Sequence, residues 1–182
     1  MLINQQLLMI DAFWNIRGLN KTGRVECLKD FISNNSLDFV GIQETKKESF
    51  HQSFFDCFGQ FSWNFLPANG TAGGVLVGFK TSKFKIVAWN FKNFCVSALV
   101  TNVEDNFSWR LITVYGSPSD DHKHEFLEEL HSLLGDWDGP TLIGGDFNLI
   151  RGTSEKNNGN INYHWADCFN EWINQWGLIE FK

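Results

Sequence analysis

Two periods share this chain: short apolar runs of strand length, and stretches whose apolar residues recur every three or four positions. Residues 7–14, Leu-Leu-Met-Ile-Asp-Ala-Phe-Trp, read as a strand continuing into Asn15. Val25, Leu28, Phe31 and Ile32 fall on one face of a helix over about 24–34, opened by Thr22-Gly23 and closed by Asn34-Asn35-Ser36. Residues 37–43 read as the next strand. A strand–helix–strand order with short loops predicts a parallel pair with a right-handed crossover, so Asn15 and Glu44 finish at the same sheet edge. Phe50, Phe54, Phe55 and Phe58 mark a short amphipathic helix.

From there the spacing tightens. Strands are expected over 61–66 and 75–79, separated by a glycine-rich turn, Asn69 to Gly74. A hairpin follows over 84–91 and 94–101 around Lys92-Asn93, then a turn over 102–106 and a strand from Ser108 to Tyr115. Strands this close together predict antiparallel pairing. Trp89 and Trp109 read as core. Ser117 reads as a helix N-cap with Pro118 at N1 and Asp120 at N3, and Phe126, Leu127, Leu130, Leu133 and Leu134 mark the buried face of a helix to about 134. Pro140 to Ile143 is a short buried strand, Arg151 to Asn162 a polar loop, and 163–176 a last helix with Trp165, Phe169, Trp172 and Trp176 as its apolar stripe.

Composition narrows the class. A chain of 182 residues with ordinary apolar and charged content is expected to form one domain. A chain of this length can bury roughly 70% of its unfolded surface. The formal charge of −6 lacks the basic footprint of a protein that holds nucleic acid by phosphate contacts alone. A nucleic-acid role would need a local cationic patch, a bound metal or a fused basic domain. Cys27, Cys57, Cys95 and Cys168 are far apart and form no CxxC pair, which reads as buried free thiols in a reducing compartment. No basic region precedes the short apolar run at the start. A secretory signal and a membrane segment are not expected, and the location reads as intracellular, the nucleus included.

The chemistry gathers at strand ends, where ligands collect in α/β sheets. In Gly144-Gly145-Asp146-Phe147-Asn148, two glycines let the backbone turn or approach a ligand. On an extended segment Asp146 and Asn148 point the same way, with Phe147 anchored opposite. Asp146 can orient or deprotonate a water, and Asn148 can donate to an anionic oxygen. The same five residues also suit a turn. Asn15 suits a metal or a phosphate as well as an Asx-turn. Glu44 suits Mg²⁺, which takes one or two carboxylates, or a solvated helix start. Tyr115 can donate to a phosphoryl oxygen or simply pack. Lys46 and Lys47 are either surface charges or a small phosphate-attracting patch. The pair Asp121-His122 sits in the first turn of a surface helix and is set aside, with His124 and His131 on that helix's polar face. His51 reads as exposed, and His164 either approaches the site or stays on the surface.

Taken in order, Trp14-Asn15-Ile16-Arg17-Gly18, Gln43-Glu44-Thr45, Tyr115-Gly116-Ser117-Pro118 and Gly145-Asp146-Phe147-Asn148 resemble the endonuclease/exonuclease/phosphatase superfamily of DNase I-like fold. Within it, Trp-Asn-Ile-Arg-Gly-Leu-Asn and Gly-Gly-Asp-Phe-Asn are most similar to the endonuclease domain of plant LINE-type (non-LTR) retrotransposons. The resemblance runs from about residue 8 to the end. It implies a four-layer α/β/β/α sandwich and Mg²⁺-dependent phosphodiester hydrolysis, with Mn²⁺ as a substitute ion. Glu44 would hold the metal and Asn15 would support metal or phosphate. Asp146 would activate the attacking water, and Asn148 and Tyr115 would stabilise the phosphoryl oxygens, with Arg17 a further substrate contact. The substrate would be one strand of chromosomal DNA, nicked to prime a reverse transcriptase domain of the same element. A phosphomonoesterase or phosphoinositide phosphatase on this fold and a non-catalytic remnant are the other readings. Family members continue into strands carrying an Asp and a Ser-Asp-His motif. No Ser-Asp-His occurs here, so the resemblance implies a domain truncated at its C-terminus, with weak or absent catalysis.

Overall fold

The computed structural model describes residues 9–70, 72–156 and 161–180. Eight strands form two four-stranded sheets. The first has the order β1 (Asp11–Asn15), β2 (Phe39–Gln43), β4 (Ala72–Lys80), β3 (Phe61–Asn69), and the second the order β5 (Phe84–Phe91), β6 (Cys95–Asn102), β7 (Ser108–Tyr115), β8 (Thr141–Asp146). Each sheet holds one parallel pair at its edge, β1 with β2 and β7 with β8, and antiparallel pairs elsewhere. Helix α1 (Arg24–Asn34) and the single turn α2 (Gln52–Asp56) flank the first sheet, and α3 (Lys123–Gly135) and α4 (Tyr163–Gln175) flank the second. The architecture is the expected four-layer α/β/β/α sandwich. None of the described helices is long and apolar enough to cross a membrane.

Side-chain alternation along the strands builds the layers. On β4, Val75, Val77 and Phe79 enter the core between the sheets while Leu76 turns out toward α1. On β7, Trp109 and Leu111 face the other sheet, and Ile112 and Val114 face α3 and α4. Trp89 packs against the intersheet core with Trp109, as expected of both. Leu28 and Ile32 of α1 are buried on Val40 and Ile42. The stripe Trp165, Phe169 and Trp172 of α4 closes over Leu130, Leu133 and Leu134 of α3, with Trp176 half-buried beside it.

Several boundaries depart from the pattern. The first strand starts at Asp11, not at residue 7: the Ile10 N–H goes to the Asp38 carboxylate (3.1 Å) instead of a ladder partner. Residues 7 and 8 lie outside the described residues, as do 157–160 of the polar loop. The second strand starts at Phe39. The glycine-rich stretch is mostly sheet, since pairing runs to Asn69 opposite Ala72 and leaves a tight hairpin at Gly70, whose φ is 59°. The helix cap is Ser119, not Ser117; it accepts from Asp121 N and opens a 3₁₀ turn (Asp120–His122) before α3. Ser117 instead bonds the backbone of Ser119 in both directions. Of the cysteines only Cys95 is fully buried, while Cys27 and Cys57 are exposed and Cys168 intermediate; all are free thiols.

One close approach sets where the sheets meet. The Phe13 ring of β1 lies against Gly41 of β2 and Gly144 of β8. A Cβ on Gly41 would come within 2.7 Å of Phe13 Cδ1, and one on Gly144 would collide with the same ring. Gly144→Ala is therefore an overpacking change, expected to cost about 1–3 kcal/mol. The chemical-denaturation midpoint should fall accordingly, and Phe13→Leu in the same chain should recover part of the loss. An unaltered midpoint in the single variant would refute the close packing.

Candidate active site

The strand ends expected to meet do so. In the parallel pair β1–β2, Asn15 lies opposite Gln43, which places Glu44 one residue beyond. In the parallel pair β7–β8, Tyr115 lies opposite Asp146. The two pairs then meet across the sheets, where Asn15 Nδ2 donates to Asp146 Oδ2 at 2.6 Å. This bond spans 131 positions of sequence. It uses the amide end of Asn15, whose Oδ1 accepts the Arg17 N–H at 3.2 Å.

Asp146 and Asn148 come together by a turn and not by strand alternation. The strand ends at Asp146, Asn148 is left-handed at φ 49°, and its N–H donates back to Asp146 Oδ1 at 3.1 Å. That is an Asx-type turn, so the turn reading and the site reading describe one object. Gly116 clamps it from both sides: its N–H donates to Asp146 O (2.7 Å) and its carbonyl accepts from Asn148 Nδ2 (2.8 Å). A side chain at Gly116 would strike the Phe147 carbonyl. Phe147 is anchored on the helical side against Phe126 and Phe169. Both Asp146 oxygens thus hold a fixed donor, and each keeps acceptor capacity for a further partner.

Glu44 sits in a loop stapled on two sides. Gly18 N and Leu19 N donate to the Glu44 and Thr45 carbonyls (2.8 and 2.9 Å), and Thr45 N and Lys46 N donate to Gly74 O and Gly73 O (3.1 and 3.0 Å). Glu44 and Lys46 are both left-handed at φ 55°, a conformation that costs of order 1–3 kcal/mol at a non-glycine residue and persists where surrounding bonds over-determine it. The Glu44 carboxylate is half-buried and pairs with Lys46 Nζ at 3.0 Å. Arg17, also left-handed at φ 53°, is exposed beside Asn15.

Tyr115 ties the halves together. Burial pushes its phenol pKa up, and the charges of Glu44 and then Asp146 push it further the same way. The ring lies beside Gly73, with Tyr115 Cε1 3.9 Å from where a Cβ would stand. Beyond Asp146 and Asn148 a cleft of about 500 Å³ opens, walled by Lys123, Lys156, Asn162 and Trp165. Glu44 and Asp146 offer carboxylate oxygens, which suit a hard divalent cation with places left for water and phosphate. Among the described residues no group of three or more His, Cys, Asp or Glu is placed to hold a metal ion by itself.

The histidines are engaged elsewhere. His51 caps α2, His122 pairs with Glu125, and His131 lies against Trp176. His124 and His164 lie against Trp165, with His164 exposed at the start of α4. One contributor escaped the sequence reading. Gln43 is buried with its Nε2 donating to Gly41 O (3.1 Å), and Gly145 passes directly over it. A polar residue closing the apolar run Phe-Val-Gly-Ile was the available signal. Lys46, read with Lys47 as a surface charge or a phosphate-attracting patch, has a left-handed backbone that nothing local in the sequence announces.

The sequence matches the Endonuclease/Exonuclease/phosphatase family over residues 12–180, and the chain belongs to that family. No curated protein matches it. Among solved structures it is similar to an AP endonuclease from Archaeoglobus fulgidus (TM-score 0.72, 16% identity, covering 92% of this chain and 71% of the other). It is also similar to an endonuclease/exonuclease/phosphatase family protein from Bacteroides thetaiotaomicron (0.64, 12%, 78% and 64%). A mannosyl-6-phosphatase from the same organism is a third (0.61, 14%, 78% and 66%). The chain spans just under two thirds of the length of the two Bacteroides proteins.

The placement of Tyr115 makes a spectroscopic prediction. Burial and two neighbouring carboxylates all oppose phenolate, so Tyr115 should stay protonated past the ordinary phenol value of about 10. Subtracting the 295 nm titration of Tyr115→Phe from that of the wild type should isolate this group. Glu44→Gln and Asp146→Asn should each bring it down, and an unmoved titration in both variants would break the juxtaposition.

Proposed function

We propose that this protein is a divalent-metal-dependent phosphodiesterase of the LINE-type endonuclease kind, cutting one strand of DNA in the nucleus as part of a machinery that includes a reverse transcriptase domain. The observation that carries the reading is the Asp146 carboxylate, held by Asn15 on one oxygen and by the Asn148 N–H on the other, beside Glu44 and Tyr115. Asp146 is fixed to accept the proton of an attacking water. The Tyr115 phenol, kept protonated by its surroundings, donates to a phosphoryl oxygen as charge builds there. The second N–H of Asn148 Nδ2 is available for the same purpose, the first being committed to Gly116. Glu44, with Asn15 in support, would hold Mg²⁺ or Mn²⁺. The ion would supply positive charge at the phosphoryl group.

No Ser-Asp-His tripeptide occurs in these 182 residues, and turnover by them is expected to be slow. His51, His122 and His131 have partners of their own, while His124 and His164 pack on Trp165 of the cleft wall. The acidic net charge favours a second reading, a phosphomonoesterase, because a small charged ester needs no extended basic surface. Supercoiled plasmid and a panel of sugar and inositol phosphates, assayed side by side with Mg²⁺ or Mn²⁺, separate the two. Nicking should require the ion, and Asp146→Ala and Glu44→Ala should each lower it by about 10²-fold or more. Release of inorganic phosphate without nicking would favour the monoesterase, and activity indifferent to Asp146→Ala would overturn the mechanism.

A further inference from the structure

Lys46 is placed by the backbone, not by its charge. Its N–H donates to Gly73 O (3.0 Å), its carbonyl accepts from Asn20 Nδ2 (2.9 Å), and the residues on either side are tied to Gly74 and Ala68. Thr45 between Glu44 and Lys46 is fully buried. With both flanking residues left-handed, the side chains at 44 and 46 leave the loop on one face and meet with Nζ 3.0 Å from Oε1. Gly18 completes the arrangement. It is at φ 101°, a conformation that favours glycine, and the lysine stem runs alongside it, 3.4 Å from where a Cβ would stand.

We infer that Lys46 is the resident counter-ion of Glu44, exchanged for the divalent metal when that ion binds, and that its freed ammonium then meets the phosphate that arrives with the metal. The inference rests on the reading of Glu44 as the metal ligand. Glu44 and Asp146, both half-buried, each act on the charge of the Tyr115 hydroxyl, so two carboxylates flank one side chain. An ammonium against one of them offsets their mutual repulsion before substrate arrives. The same ammonium repels a divalent ion seeking the same carboxylate. Metal alone is then held weakly, while metal and phosphate together are held well, because the phosphate gives the displaced lysine an anion to face. The Lys46 side chain, about a third exposed, has the freedom to make that exchange. Glu44, with a side chain 20% exposed in its stapled loop, stays in place.

Mn²⁺ titrations followed by electron paramagnetic resonance test this without any turnover. In the wild type, Mn²⁺ alone should bind weakly, and a saturating 20-base-pair DNA duplex should tighten it about tenfold, the scale of one unit charge acting on a divalent ion at solvent-exposed separation. Lys46→Met should bind Mn²⁺ about tenfold more tightly than the wild type without DNA, and the duplex should then change the affinity by about twofold or less. Lys46→Arg, which keeps the charge, should behave as the wild type. Mn²⁺ affinity in Lys46→Met equal to or weaker than the wild type's, with Mn²⁺ binding still abolished by Glu44→Ala, would overturn the counter-ion role while leaving the metal reading intact. Mn²⁺ binding untouched by Glu44→Ala would overturn both. Because Lys46 is partly exposed, its thermal unfolding curve should match the wild type's, which separates an electrostatic effect from a folding defect.

Discussion

Everything at this site depends on two sheets being allowed to touch at one end. A sandwich normally keeps its sheets about 10 Å apart, with a layer of side chains between them. Here Gly41 and Gly144 let the Phe13 ring fill that space against bare backbone, and the strand ends above it come within one hydrogen bond of each other. Asn15 from the first sheet and Asp146 from the second are that bond. Without the two missing side chains, the groups on β1 and β2 and those on β7 and β8 would be two separate half-sites. The glycines are therefore a packing requirement first and a chemical one only by consequence.

The two halves repeat one device. Each sheet carries a parallel pair at its edge: Tyr115 ends one facing Asp146, and Asn15 ends the other facing Gln43, with Glu44 one residue beyond. Parallel pairing brings strands separated by a crossover to the same edge, which is how residues 15 and 44, and 115 and 146, become neighbours. The antiparallel strands between them supply walls. Val75, Val77 and Phe79 fill the core, while Gly73 and Gly74 of the same strand yield carbonyls to the Glu44 loop. One strand thus changes from packing to positioning as it nears the site.

That division explains what could be read from the sequence. The apolar periods of 24–34, 108–115, 123–134 and 163–176 are written by burial, and burial is what hydropathy reports. The five polar residues at strand ends stood out because a polar side chain after an apolar run is conspicuous, and parallel connection brings such ends together. Local electrostatics and backbone geometry were not legible. Ser117 and Ser119 are equally good caps by type, and only the bend after Tyr115 decides between them. Asp146 and Asn148 looked like alternating strand residues, yet a left-handed Asn148 folds back onto Asp146. The glycines at 73 and 74 read as a turn because φ above zero is usually a turn signal, whereas here φ 77° and 87° aim carbonyls at the neighbouring loop within a strand.

The left-handed residues Arg17, Glu44, Lys46 and Asn148 gather at this one end of the molecule. None of them is glycine: the loop of Glu44 and Lys46 is held by bonds to other backbone groups, whereas Arg17 and Asn148 give their N–H groups to the side chains of Asn15 and Asp146. Backbone bonds do not change when a side chain does. A site built this way keeps its shape while its side chains differ, and the chemistry it performs is decided by which atoms are mounted on a fixed frame. The fold is what this chain shares with an AP endonuclease and a mannosyl-6-phosphatase at such low identity. In this chain the walls beyond Asp146 and Asn148 are built by Lys123, Lys156, Asn162 and Trp165, whose side chains can differ without disturbing the backbone bonds of the Glu44 loop.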